Sequence, residues 1–244
     1  MSDPVIEINN VSLDYKNFKA VDNLSLQIFT GEIFSLLGLN GAGKTSTIRM
    51  LTGLVKPSGG QIKIAGHDII QEANQAKKLI GYIPDRGYLF DKLTVRELLF
   101  LCGKLYSMPK KAIEEETEKA LELFDLLDFG SELIENLSQG MRQRLVFSSA
   151  LIHKPKILII DEPMVGLDPY GAKALKQFLK NFADKGGTVF LSTHSLNVAS
   201  ELSSRLGIIH SGQLVTVGTE DEISEQHTSA NNLEEVFLKI TNRA

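Results

Sequence analysis

The stretch "EIFSLLGLNGAGKTSTIRML", Glu32 to Leu51, decides the fold. Its first part, Ile33 to Leu37, is a near-continuous apolar run, as expected of a strand buried on both faces. "GLNGAGKTS" then spells Gly38-x-x-x-x-Gly43-Lys44-Thr45, and the residues after it read as a helix. The pattern G-x-x-x-x-G-K-[ST] arises by chance in on the order of one chain in a hundred of this length. Here it also has the required strand before it and helix after it. Gly41 and Gly43 let the backbone approach a ligand closely. The N–H groups of the loop residues Gly38, Asn40, Gly41, Ala42, Gly43 and Ser46, together with the helix N-terminus, then point at phosphate oxygens. Lys44 brings a compact positive charge to the β- and γ-phosphates, and the Thr45 hydroxyl is placed for Mg²⁺. The plain alternative is a glycine-rich turn that merely caps a helix.

A second buried strand, "ILIIDEP", ends in Asp161 and Glu162. In open α/β sheets, ligands bind at this carboxyl end. Asp161 can hold Mg²⁺ directly or through water. Glu162 points elsewhere and can polarise a water for in-line attack on a γ-phosphorus. Without a phosphate loop nearby, Asp-Glu after a strand is an ordinary surface turn. "TVFLSTHS" repeats the geometry one strand later. It puts His194 at the same sheet edge, where it can hydrogen-bond a γ-phosphate oxygen. The other histidines, His67, His153, His210 and His227, read as structural or merely exposed.

Outward from these strands, "VIEINNVSLDY", "LSLQIF" and "QIKIAG" alternate with period two between turn residues. From Asp85 to His153 the character is helical. Thr94 and Glu97 have capping-box spacing. "KAIEEETEKALELFDLLDF" carries apolar Ile113, Ala120, Leu123, Phe124 and Leu127, with an acidic run that reads as a solvated face. After Pro155 strands and helices alternate again. The tail "NNLEEVFLKIT" has Leu233, Val236, Phe237 and Ile240 at i, i+3, i+4, i+7. The expected fold is therefore an α/β core with a helical block inserted.

The chain has 244 residues, 43% of them hydrophobic and 23% charged, which suits a folded domain and excludes a disordered one. The net charge of −4, with no clustered basic stripe, argues against a nucleic-acid partner. One cysteine, Cys102, excludes an internal disulfide. "MSDPVIEINN" lacks the pattern of a signal peptide. No apolar run approaches the roughly 18 residues that span a bilayer, so membrane work would need a spanning partner chain.

"NLSQGMRQRL", Asn136 to Leu145, is locally a helix start with Ser138 as cap. In order, the phosphate loop, the helical insertion, "LSQGM", "ILIIDEP", "GLDP" and "STHS" resemble the ATP-binding subunit of an ABC transporter. The resemblance covers nearly the whole chain. It implies a P-loop NTPase core with a mixed sheet, an N-terminal antiparallel β subdomain and an inserted α-helical subdomain. The core would be residues 1–84 and 154–217, the helical subdomain 85–153 and a helical tail 218–244. It also implies ATP hydrolysis with Mg²⁺ and adenine stacking on Tyr15. Two copies would pair head to tail, with Ser138, Gln139 and Gly140 facing the ATP of the other copy. Asp168 of "GLDP" would contact that copy. The implied membrane permease is a separate chain, and the implied location is cytoplasmic, on the inner face of the membrane.

Three positions depart from the family pattern. The signature usually reads Leu-Ser-Gly-Gly-Gln, whereas Gln139 and Met141 stand here. Asp85 stands where glutamine is usual; it would hold Mg²⁺ through water. These changes and the tail resemble bacterial type-2 ABC exporters. The loop "RGYLFDKLT" carries Tyr88, Leu89 and Phe90, three large apolar residues that would meet the permease or pack into the helical block. Competing readings are a soluble ABC-type ATPase serving as an assembly or switch protein, and a small-molecule P-loop kinase. The kinase leaves "LSQGM" and "GLDP" unexplained.

Overall fold

A computed structural model of the chain describes residues 3–226 and 232–241. His227 and the first residue of the tail segment, Asn231, lie outside the described residues.

The two long alternating stretches form β1 (Pro4–Tyr15) and β2 (Phe18–Phe29), an antiparallel hairpin with Lys16 and Asn17 at its turn. β4 (Gly59–Ile64) and the short β5 (His67–Asp68) complete a four-stranded sheet in the order β2-β1-β4-β5. The central sheet has six strands. β3 (Ile33–Leu37), β6 (Ile80–Ile83), β7 (Ile157–Asp161), β8 (Thr188–Thr193) and β9 (Arg205–His210) run parallel, and β10 (Gln213–Gly218) joins antiparallel at the edge. Their order is β10-β9-β3-β8-β7-β6. The sheet is mixed, as expected.

Period two explains the layering even in strands that are apolar throughout. Ile157, Ile159, Phe34, Leu36 and Phe190 face a cluster built with β1, β2, β4 and α1 (Lys44–Leu51). Leu158, Ile160, Ile33, Val189 and Leu191 face the opposite way. There they meet α5 (Gln139–Leu151), α6 (Pro169–Asp184) and α7 (Leu196–Leu202). Both faces are thus covered, which a parallel sheet needs.

The inserted helices are α3 (Val95–Leu105), α4 (Lys110–Leu123) and the first part of α5. They bury a cluster of their own, including Val95, Leu99, Leu121 and Leu145. The capping box at Thr94 and Glu97 is formed in both directions. α4 ends earlier than its apolar pattern suggests, because Asp125 takes a left-handed backbone. Leu123 and Leu127 are consequently exposed rather than core, while Ile113 and Ala120 are buried.

In the tail, α9 (Leu233–Thr241) packs Leu233, Val236, Phe237 and Ile240 on Leu206 and Ile208 of β9. Each such side chain contributes about 1.5–3 kcal/mol on burial. The tail's apolar stripe is therefore used within the chain.

The sequence reading leaves out α2 (Ala73–Lys78), the two-residue β5 and β6, while α8 (Glu220–Gln226) falls within the expected helical tail. β6 is four residues with a glycine inside. A Cβ on Gly81 would stand 2.7 Å from the Ala150 carbonyl oxygen, so the glycine serves close packing against α5. No helix among the described residues is long and apolar enough to cross a membrane.

Candidate functional site

The carboxyl ends of β3 and β7 open into one cleft of about 310 Å³. It is lined by Asn40, Gly41, Gly43, Lys44, Thr45 and Ser46 of the loop, and by Asp161 and Glu162 after β7. Asp85 enters from the segment after β6, and Tyr15, Phe18 and Ala20 from the β1–β2 hairpin. Gly38 and Ala42 are buried beneath the loop.

The loop glycines have distinct reasons. Gly41 has φ +82° and open space at its Cβ position, so its requirement is purely conformational. Gly43 has φ +112°, and a Cβ there would lie 2.6 Å from the Ala20 carbonyl oxygen. Gly43 also caps α1 with no side chain. The first N–H groups of the helix, which have no intrahelical acceptor, are therefore unobstructed. With the helix dipole they make an anion site.

Lys44 is buried, and its Nζ donates to the carbonyls of Gly38 (2.7 Å) and Leu39 (3.2 Å). It stands 3.7 Å from Glu162 Oε1. Burial pushes the ammonium below its usual range, and the charges of Glu162 and Asp161 oppose that shift. Thr45 is exposed to the cleft.

Asp161 is buried and accepts a hydrogen bond from the Ser192 hydroxyl. Glu162 leaves the strand with φ +50°, a left-handed conformation costly for a residue with a Cβ, by about 1–3 kcal/mol. Its N–H donates to the Ser192 carbonyl, 3.1 Å. The turn sends its carboxylate away from Asp161 toward Lys44, His194 and Thr193. His194 Nδ1 is 2.9 Å from Glu162 Oε1. A carboxylate only accepts, so Nδ1 carries the proton, and Nε2 of the neutral ring is an acceptor. Donation from Nε2 to a phosphate oxygen then requires the imidazolium.

Ser138 caps α5, accepting from Met141 N at 3.3 Å. Asp168 caps α6, accepting from Gly171 N at 2.7 Å. Neither residue, nor Gln139 or Gly140, lines the cleft of its own chain. Both departures from the usual signature have local surroundings. Met141 packs against the apolar cluster of the inserted helices. Gln139 Nε2 lies 3.5 Å from where a Cβ on Gly166 would stand, placing its amide beside the "GLDP" loop.

The hydroxyl of Thr45 and the carboxylates of Asp161 and Asp85 at this cleft are oxygen donors of the kind that suit a hard cation such as Mg²⁺. Among the described residues no cluster of three or more His, Cys, Asp or Glu could hold a metal by itself.

Phe18 joins the cleft beside the residues named from the sequence. It is 60% exposed, faces Tyr15 across the hairpin and lines the same cleft. The Tyr15–Phe18 pairing across a two-residue turn was the available signal.

The ABC transporter family profile matches residues 21–165. The chain belongs to the ABC transporter family. It is 34% identical over 226 residues to "Daunorubicin resistance ATP-binding protein DrrA3" of Streptomyces coeruleorubidus, covering 93% of this chain and 72% of that protein. It is 37% identical over 230 residues to "Bacitracin transport ATP-binding protein BcrA" of Bacillus licheniformis, with 93% and 72% covered. A solved "Structure of ATP binding subunit of ABC transporter" superposes with a TM-score of 0.90 at 30% identity, over 97% of this chain and 99% of that one. As a member of this family the chain is an ATP-binding ABC ATPase, and the likeness to a P-loop NTPase fold extends over nearly its whole length. The soluble-switch and kinase readings are not favoured by these similarities.

Proposed function

We propose that two copies of this ABC ATPase pair head to tail, enclose two MgATP and drive a separate membrane permease that exports its substrate. The carrying observation is the position of Ser138. It caps the N-terminus of α5 yet lies outside the cleft that holds Lys44. A helix N-terminus carries roughly half a positive charge, and a second copy would bring that charge onto the γ-phosphate. Asp168, at the start of α6, would meet the same partner.

In this reading Tyr15 stacks on adenine, the loop from Gly38 to Ser46 cradles the phosphates, and Lys44 neutralises them. Thr45 and Asp161 would hold Mg²⁺, with Asp85 as a further oxygen donor at the same cleft; the ion would offset charge on the phosphate oxygens. Glu162 takes a proton from the water that attacks the γ-phosphorus, while the bond to the β-phosphate oxygen breaks and ADP leaves. His194 orients Glu162. The inserted segment 85–153 is taken as a subdomain between core segments 1–84 and 154–217, followed by the tail 218–244.

Coupling would run through residues 85–93. Tyr88 is 96% exposed and Phe90 62%, whereas Leu89 turns inward between the sheet-face cluster and the cluster of the inserted helices. Arg142 of α5 donates to Asp91 at 2.6 Å and to the Ile134 carbonyl at 3.0 Å. A permease segment on Tyr88 and Phe90 would thus push on the helix that starts at Ser138. The chain would sit on the inner face of the membrane. Export is supported by relatives named for drug resistance and Nod factor export.

Glu162→Gln tests the assignment. ATP binding should persist, hydrolysis should drop about 100-fold or more, and an ATP-dependent dimer should accumulate in size-exclusion chromatography. Undiminished turnover would refute Glu162 as the base.

A further inference from the structure

The β1–β2 hairpin and the phosphate loop are distant in sequence, yet the same nucleotide would have to touch both. A third element joins them. β9 and β10 are connected by Ser211 and Gly212, with φ +48° and +79°. Positive φ at both central positions is the mark of a tight type I′ hairpin turn. Gly212 N donates to the Ala42 carbonyl of the phosphate loop at 2.9 Å, and Asp22 N of β2 donates to the Gly212 carbonyl at 2.8 Å. One peptide segment therefore hydrogen-bonds both partners.

The contact is also tight. A Cβ on Gly212 would stand 3.0 Å from the Ala20 carbonyl oxygen, and a Cβ on Gly43 would meet the same oxygen at 2.6 Å. Ala20 itself lines the cleft, two residues from Phe18. Side chains brace the junction. Gln213 Nε2 donates to Asp22 Oδ2 at 2.9 Å, and Lys19 Nζ to Asp22 Oδ1 at 3.0 Å. These bonds hold the Asp22 carboxyl below its usual range.

We propose that the Ser211–Gly212 turn, with Gln213 and Asp22, is a positioning device that sets the distance between the base-stacking hairpin and the phosphate loop. It touches no nucleotide. It acts by fixing where Tyr15 and Phe18 stand relative to Gly43 and Lys44. The proposal rests on the reading of Tyr15 as a base contact. It predicts that the turn matters for ligands with a base and not for phosphate chains alone, since the loop amides and Lys44 keep their own supports.

The test is calorimetric binding to the full chain of two probes, ATP and inorganic tripolyphosphate. Gly212→Ala strains the turn, and Gln213→Ala removes only the side-chain brace. Both should weaken ATP by about fivefold or more, the lower range of one lost base stack, and leave tripolyphosphate affinity as in the parent. Should Gly212→Ala fail to fold, Gln213→Ala carries the test, with thermal melting as the check on folding. Unchanged ATP affinity in a folded Gln213→Ala chain would overturn the proposal. So would equal weakening of both probes, which would make the turn a support of the phosphate loop. Parent protein that binds ATP no better than tripolyphosphate would instead overturn the base-stacking reading of Tyr15.

Discussion

Nδ1 of His194 stands 2.9 Å from Oε1 of Glu162, the same oxygen that lies 3.7 Å from Nζ of Lys44. One carboxylate oxygen thus meets the loop cation and the imidazole, and a left-handed backbone at Glu162 makes this possible.

That relationship gives the first prediction. His194→Ala should lower kcat by about 100-fold with little change in KM for ATP. His194→Asn places an amide near the Nδ1 position and should recover part of the loss. Steady-state phosphate release measures both. Equal activity of the alanine and asparagine variants would show that the contact with Glu162 does not orient the base.

The signature is expected to act across the dimer. Ser138→Ala and Lys44→Ala homodimers should each be nearly inactive. In a mixed heterodimer both lesions fall in one composite site, so the other site is intact and about half the activity returns. A heterodimer as inactive as its parents would overturn the assignment of Ser138 to the other copy's site.

Tyr88 and Phe90 expose large apolar surface without a partner in this chain. Replacing both by serine should abolish ATP-driven transport in vesicles containing the permease, while ATPase activity of the isolated subunit stays within about twofold of the parent. A parallel loss of both activities would contradict a coupling role.

His153 should make the protein acid-sensitive. Its ring stacks on Tyr106 with centroids 3.6 Å apart, and Nε2 contacts the Ile80 carbonyl oxygen at 2.9 Å. Nδ1 is buried with no partner. Burial pushes the imidazole below the usual histidine range, against the hydrogen bond to Ile80. The unfolded chain therefore binds the proton more readily, and stability is full above pH 6.5 and falls as pH drops toward the folded value. Urea unfolding at pH 7.5 and 5.5 should show this loss, and His153→Phe, which keeps an aromatic ring against Tyr106, should reduce it. An unaltered pH dependence in that variant would assign the acid sensitivity to other groups.

What was legible in the chain is what local rules control. Strand, loop and helix around Lys44 follow from an apolar run, glycine freedom and the order of residue types. The caps at Thr94, Ser138 and Asp168 follow from residue chemistry within one turn. The same rules place Asp161 at a strand end and the apolar stripe on α9.

Other features depended on segments far apart in sequence. β6 is too short, and too interrupted by Gly81, for any period to show; it exists because β7 pairs with it and Ala150 leaves no room for a side chain. Phe18 joins the cleft only because the hairpin folds over the loop. Gly212 reads as an ordinary hairpin glycine until its carbonyl meets Asp22 and its N–H meets Ala42. Glu162 could be named from sequence, but its direction could not, since that depends on a left-handed turn held by the Ser192 carbonyl of the neighbouring strand. Periodicity and caps are properties of neighbouring residues, so the sequence determined the strongly patterned elements and the chemistry they carry. Distances between elements arise only when both faces of the sheet are packed, so tertiary structure alone decided how that chemistry is brought together.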